Sequence, residues 1–334
     1  MRTTSYLCAS ILTGAVILSS TVSQAAQPNT YNSPSQTVEG QTNLNLGNSQ
    51  VLVSGRMSLG IANGTANELV YDTEANGRLL SKLSWDIKNV AMLGAGVSVT
   101  PLNWLRLNAD ISAAITEGSG SMDDYDWMVD GWGYTDWSHH DDLTVDSGLM
   151  FDMSAEMAIL KHTQTVLYAI VGFKHDSWEW SANGGYYIYS TNSLYDTVGN
   201  FPAGTEVISY EQTYNTPYIG LGFEALLTPI TLNGRIIGST IVSATDEDHH
   251  NLRQVTYTED FDSGNMIAID LAATYNFNKH MSLTGSFHYQ EFSDLTGSTN
   301  ATDQKTGVVY YYGGDAAGID QKLSVAALSF SYKF

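Results

Sequence analysis

Cysteine, proline and positive charge are what this 334-residue chain has least of: one Cys, six Pro, and 14 Lys and Arg together. The cysteine, Cys8, lies in an apolar N-terminal run. The rest of the chain has no disulfide, no thiol nucleophile and no thiolate for a metal, which excludes cysteine-protease chemistry. The basic residues face 35 acidic ones, leaving a formal charge of −21. That balance excludes nucleic acid as a partner, because phosphate neutralisation drives its binding. It favours cationic peptides and raises their encounter rate. After residue 26 no apolar run is long enough for a spanning helix. The chain is not an acidic disordered one either, since only 15% of it is charged and 43% is hydrophobic. What it has in plenty is tyrosine (20), tryptophan (7) and glycine (30), a composition suited to long β-strands.

The first 25 residues read as a secretory signal. Arg2 supplies the positive charge, "YLCASILTGAVILSS" the apolar run, and Ser23 and Ala25 the small residues before a cut. A single membrane anchor is the alternative, but the run is short for a span. Residues 26–46 are polar and expected to be flexible, and 47–334 form the remaining domain.

From about residue 48 the apolar period is two. In "WLRLNADISAAI" (104–115), Leu105, Leu107, Ala109, Ile111 and Ala113 alternate with polar residues. "ITLNGRI" (230–236) and "MSLTGSFHYQ" (281–290) behave alike. This is strand alternation. Short breaks fall at 100–103, 160–163, 227–230 and 277–280, and long polar ones near 63–77, 117–147, 190–205, 245–262 and 292–320. Five long and four short connections join ten strands. The pattern predicts an all-β fold: a ten-stranded antiparallel transmembrane β-barrel with long extracellular loops and short periplasmic turns. In "ALSFSYKF", Leu328, Phe330, Tyr332 and Phe334 share one face, like the end of bacterial outer-membrane barrels. A soluble β-sandwich or lipocalin-like barrel would also alternate, but these strands exceed the usual five or six residues. Periodicity alone does not say which face is apolar-out.

Two acidic stretches carry possible chemistry. In "SATDEDHHNL" (243–252), Asp246, Asp248 and His250 stand at i, i+2 and i+4, on one face of an extended chain, with Glu247 and His249 on the other. A carboxylate beside an imidazole raises its basicity and orients it, so the pair is fit to act as a general base. In "SMDDYDWM" (121–128), Asp124 and Asp126 have the same spacing and must share a proton, a cation or a water. Either stretch alone is equally a solvated loop. Placed across one lumen, they could hold a water between them for hydrolysis.

The ordered set "MSLGIANGTANELVYD" (57–72), "SKLSWDIKN" (81–89), "MDDYDWM", "YTDWSHHDD" (134–142), "GGYYIYS" (184–190), "TPYIGL" (216–221) and "SATDEDHH" resembles the omptin family of Gram-negative outer-membrane proteases. The resemblance covers nearly all of the chain after the signal. It implies a tall ten-stranded barrel in the bacterial outer membrane, with its active site facing the cell exterior. It puts the catalytic aspartate pair at Asp124 and Asp126 and the His–Asp dyad at His250 and Asp248. Glu68 and Asp246 match the acids that bind a basic substrate residue, and Asp136 matches an acid on the leaving-group side. It implies cleavage beside Arg or Lys in cationic peptides or proteins, with no metal and no cofactor required, by a monomer among outer-membrane lipids. Family members from enterobacteria use basic wall residues to hold lipopolysaccharide, which activates them. The matching positions here, Ser177, Thr213 and a third near Asp262, are not basic, which removes the charge-assisted contacts to phosphate.

Other readings compete. Ser138 beside His139 and His140 invites a serine nucleophile, although neighbours in an extended chain point apart. A non-catalytic adhesin or host-protein receptor would use the same aromatic, acidic loops. A zinc hydrolase would draw on His139, His140, Asp248 and His250, at a spacing that matches no zinc motif. A general porin would not need clustered rim acids.

Overall fold

The computed structural model describes residues 51–74 and 77–334. The expected signal (1–25) and the polar segment 26–46 after it lie outside the described residues. In chain order the strands are β1 (Leu52–Asp72), β2 (Arg78–Leu102), β3 (Leu105–Ala114), β4 (Met122–Asp126), β5 (Asp136–His140), β6 (Asp142–Lys161), β7 (Thr165–Asn183) and β8 (Tyr186–Tyr189). There follow β9 (Thr197–Asn200), β10 (Glu206–Leu227), β11 (Ile230–Ser239), β12 (Ser243–His250), β13 (Val255–Phe261), β14 (Asn265–Asn276), β15 (Met281–Asp303) and β16 (Val309–Lys333).

All pairings are antiparallel, and β1 closes the ring by pairing with both β2 and β16. The ring has ten staves. Four staves are interrupted partway up: β3 continues as β4, β5 as β6, β11 as β12 and β13 as β14. The β8–β9 hairpin extends above the ring and pairs with β5. At the β3–β4 break the chain passes close to β2 at Gly118, which has φ +67°. A Cβ there would come within 2.7 Å of the Lys88 carbonyl oxygen, so only glycine fits.

Alternation sets the two faces, and the structure decides between them. Leu59, Ile219 and Leu328 are 60%, 71% and 63% exposed on the outer wall. Leu107, Ile111, Ile236 and Phe287 join them in an apolar band around the ring. So wide an apolar surface is unstable in water and belongs against lipid. The inward residues of the same strands are charged and pair with one another, because a barrel lumen offers no lipid. Arg56 pairs with Asp110, Arg106 with Glu156 and Glu224, and Arg235 with Asp152 and Asp270 at 2.5 and 2.6 Å. These pairs line the bore around a cavity of about 310 Å³. Above them Trp85, Trp180 and Tyr210 stack into a buried aromatic layer, with Trp85 and Tyr210 centroids 5.1 Å apart. Beside it Tyr214 lies flat on Phe292 at 4.1 Å.

Three of the five long polar breaks are mostly strand, while 117–147 and 190–205 hold loops between short strands. Residues 245–262 are β12 and β13 joined by a turn at 251–254, and β1 runs unbroken to Asp72. Of 292–320, only 304–308 lie outside β15 and β16. Above the apolar band the outer wall meets water, so both faces of a strand are polar there. Alternation disappears from the sequence while the hydrogen-bonded ladder continues.

Candidate active site

The walls above the aromatic layer carry the acidic residues. On one side, β1 presents Glu68 and β4 presents Asp124 and Asp126. On the other, β12 presents Asp246, Asp248 and His250. Strand period places the residues of each set on one face. In β12 the inward Asp246, Asp248 and His250 are all buried, while Glu247 and His249 turn outward. His249 pairs there with Glu247 at 2.7 Å and with the Thr256 hydroxyl at 2.8 Å. The two walls are tied across the lumen by Gln212, whose Nε2 donates to the Asn67 carbonyl at 3.0 Å.

His250 Nε2 lies 2.6 Å from Asp248 Oδ2. Asp248 is itself 2% exposed, so little water screens this contact. Burial pulls the His250 pKa down, but the Asp248 charge outweighs it and leaves the imidazole more basic than usual. Facing it, Asp124 is 6% exposed, with Ser81 Oγ donating to its Oδ1 at 3.3 Å. Burial, then the neighbouring Asp126, pushes the Asp124 carboxyl up to about 7, with His250 and Arg253 opposing. Burial also raises Asp126, against the pull of Ser81 and Arg253. His250 therefore acts electrostatically on both aspartates, and the four residues share one space.

A second group of acids adjoins this one. Asp246 Oδ2 accepts from the Tyr210 hydroxyl at 2.8 Å, and Tyr210 is held in turn by Gln212 Nε2 at 2.7 Å. Burial and then Glu259 raise Asp246. Burial, followed by Asp248, Glu259, Asp246 and Asp124, holds Glu68 well above the carboxylate range. A pocket of buried carboxyls with no cation paired to them among the described residues is fit to bind a positive side chain.

Asp136 is the direct cross-strand partner of Asp126. Its oxygens accept from the Ser190 amide at 2.9 Å and the Thr135 hydroxyl at 2.8 Å, anchoring the loop above β5. Its charge raises Asp126. Ser138 and His140 do meet, two residues apart on one face, at 3.2 Å. His140 Nδ1 donates to the Gly184 carbonyl at 2.6 Å, and its ring stacks on Phe201 at 5.1 Å. Gly185, at φ +100°, lets the chain approach: a Cβ would strike the His139 carbonyl oxygen at 2.3 Å. Burial lowers the His140 pKa, so this neutral ring is part of the packing. His139 faces the other way and joins Asp123 and Asp141 at 2.7 and 2.8 Å. The set His139, His140, Asp248 and His250 is thus dispersed. Among the described residues no three His, Cys, Asp or Glu side chains are arranged to hold a metal ion. Ser177 and Thr213 share a hydrogen bond at 3.1 Å on the outer wall beside Glu211.

Sequence reasoning missed Glu259, Tyr210 and Arg253. The signal for Glu259 was the turn: if His250 pairs with Val255, Asp246 must pair with Glu259, as it does. Tyr210 and Arg253 left no such mark.

The sequence profile of the Omptin family matches residues 49–334. The plasminogen activator of Yersinia pestis is 34% identical over 278 residues, covering 83% of this chain and 88% of that protein. The outer membrane protease OmpP of Escherichia coli (strain K12) is 27% identical, covering 84% and 90%. The crystal structure of the outer membrane protease OmpT from Escherichia coli superposes with a TM-score of 0.81 at 25% identity, covering 85% and 97%.

Proposed function

From the premise that this chain belongs to the omptin family and is a protease of the bacterial outer membrane, we propose that it cuts peptide bonds beside Arg or Lys. The nucleophile is a water activated by His250 and Asp248 opposite Asp124 and Asp126. The observation that carries this reading is the 2.6 Å His250–Asp248 pair placed against the buried Asp124 and the half-buried Asp126. Asp248 engages Nε2, which leaves Nδ1 as the nitrogen that takes the proton of water. The oxygen then attacks the peptide carbonyl carbon, and the imidazolium returns the proton to the departing amine as the C–N bond breaks. Asp124 and Asp126 hold the same water from the other side. With one proton between them they also offer a donor to the developing oxyanion.

Glu68 and Asp246 receive the basic side chain, and Asp136 acts on the leaving-group side through its charge. The groove opens to the cell exterior, the chain is a monomer, and residues 1–25 are the export signal. A positive substrate is drawn in by the net charge of −21. Ser177 and Thr213 offer no cation to a lipid phosphate, so activation by lipopolysaccharide would have to use other contacts.

The test is an internally quenched peptide containing Ala-Arg-Arg-Ala, with its cut site mapped by mass. The refolded protein is assayed with and without lipopolysaccharide, beside His250→Ala. Cleavage next to Arg that vanishes in the variant is the expected result. Cleavage retained in folded His250→Ala would sink the assignment of the base.

A further inference from the structure

We infer that Glu259 is a third acid of the pocket that takes the substrate's basic side chain, and that it sharpens selection of a charged side chain over a neutral one of the same shape. The inference rests on the basic-residue specificity proposed above and assigns that pocket a residue outside the set that the resemblance supplies.

Glu259 stands directly across the β12–β13 ladder from Asp246. It is 3% exposed, and Oε2 has no hydrogen-bond partner. Glu68 Oε2 and Asp246 Oδ1 are likewise buried and unpartnered. Three strands, β1, β12 and β13, therefore each bring into the same space an acceptor short of donors among the described residues, and Asp246 and Glu259 are left to share a proton. Tyr210 occupies the other Asp246 oxygen, which leaves Oδ1 for a ligand. Buried acceptors are nearly always satisfied, and three together short of donors are a cost to the fold. An ammonium or guanidinium carries donors and positive charge, and meets both needs.

The groups around Glu259 from each packed element are acidic or neutral: Asp246 and Asp248 from β12, Glu68 from β1, Tyr210 from β10 and Thr299 from β15. Burial pushes Glu259 up to about 7. Below that pH it carries a proton and attracts a cation less, and above it the full charge is present. KM for a basic substrate should therefore fall as pH rises from 6 to 8.

The experiment compares kcat/KM for two quenched peptides that differ only in Arg or citrulline at the cut site. The intact refolded barrel is used as wild type, Glu259→Gln, Glu259→Asp and, as an outer-wall control, Glu247→Gln. Folding is checked by heat-modifiable electrophoretic migration. Glu259→Gln should lower the Arg-to-citrulline ratio about tenfold, mainly through KM, and flatten the KM profile between pH 6 and 8. Glu259→Asp should stay within about threefold of wild type, and Glu247→Gln should match it. An unchanged ratio in folded Glu259→Gln, from a wild type that prefers Arg, overturns this inference and leaves the proposed specificity standing. A wild type indifferent to Arg against citrulline overturns both. Should Glu259→Gln fail to fold, a wild-type KM flat from pH 6 to 8 overturns the inference on its own.

Discussion

The His250 imidazole meets the Tyr257 ring edge-on, with centroids 5.4 Å apart and planes at 75°. Tyr257 is also the cross-strand partner of Asp248. One hairpin thus fixes both the base and the carboxylate beside it, and a ring on the second strand limits how the imidazole can turn. Tyr257→Ala should lower kcat about tenfold with little change in KM, because the base is then less well aimed. Tyr257→Phe keeps the ring edge and should stay near wild type. Steady-state kinetics on one Arg peptide separates the two, and equal losses in both would move the role from the ring to the hydroxyl.

The pH profile should report the dyad. Asp248 raises the His250 pKa above its ordinary value, and the base works only when neutral. Activity should therefore rise with pH through a value above 6.5, the usual histidine value. Asp248→Asn removes the largest raising influence, leaving burial and Arg253, which lower the pKa, against the smaller pull of Asp124. Its acid limb should shift to lower pH while kcat falls by about a hundredfold or more. A limb that stays in place would mean that another group titrates there.

Ser138→Ala should retain cleavage within about threefold, since His140 is committed to Gly184 and packed on Phe201. His250→Ala should lose about a thousandfold under the same conditions. A large loss in folded Ser138→Ala would restore a serine nucleophile, and trapping of a covalent acyl group on that residue would confirm it.

Buried acids of raised pKa have a cost that depends on pH. Asp124 and Glu259 both titrate near 7 in the folded state, against 3.8 and 4.5 as ordinary side chains. The folded state holds their protons more tightly, so the contribution of these two groups to stability is greatest at low pH and declines as pH rises from about 4 through about 7. Glu259→Gln should raise the Tm of the upper barrel at pH 8 by a few degrees or more, and by much less at pH 5. Thermal melts in one detergent at the two pH values check the sign.

Much of this could be read from residues alone. The i, i+2 spacing of Asp246, Asp248 and His250 anticipated their shared face, because strand geometry gives side chains a period of two. The count of ten staves followed from the alternation of short and long breaks. The side of the wall that meets lipid did not follow, since Leu105, Leu107 and Ile111 alternate equally well in a barrel with an apolar interior. The extent of the strands was hidden for a related reason. In "TYTEDFD" the outward Thr258 and Asp260 are as polar as the inward Glu259, so the ladder leaves no trace in hydropathy. Glu259 was lost with it. Partners across the lumen, such as Gln212 and Asn67, are 145 residues apart, a distance at which no local pattern operates.

The layer of Trp85, Trp180 and Tyr210, with the ion pairs below it, leaves the groove a single opening. A scissile segment must enter and both cut ends must depart by the same mouth. The aromatic floor therefore separates the place of hydrolysis from the lower bore: a substrate is cut above it and is not passed through it.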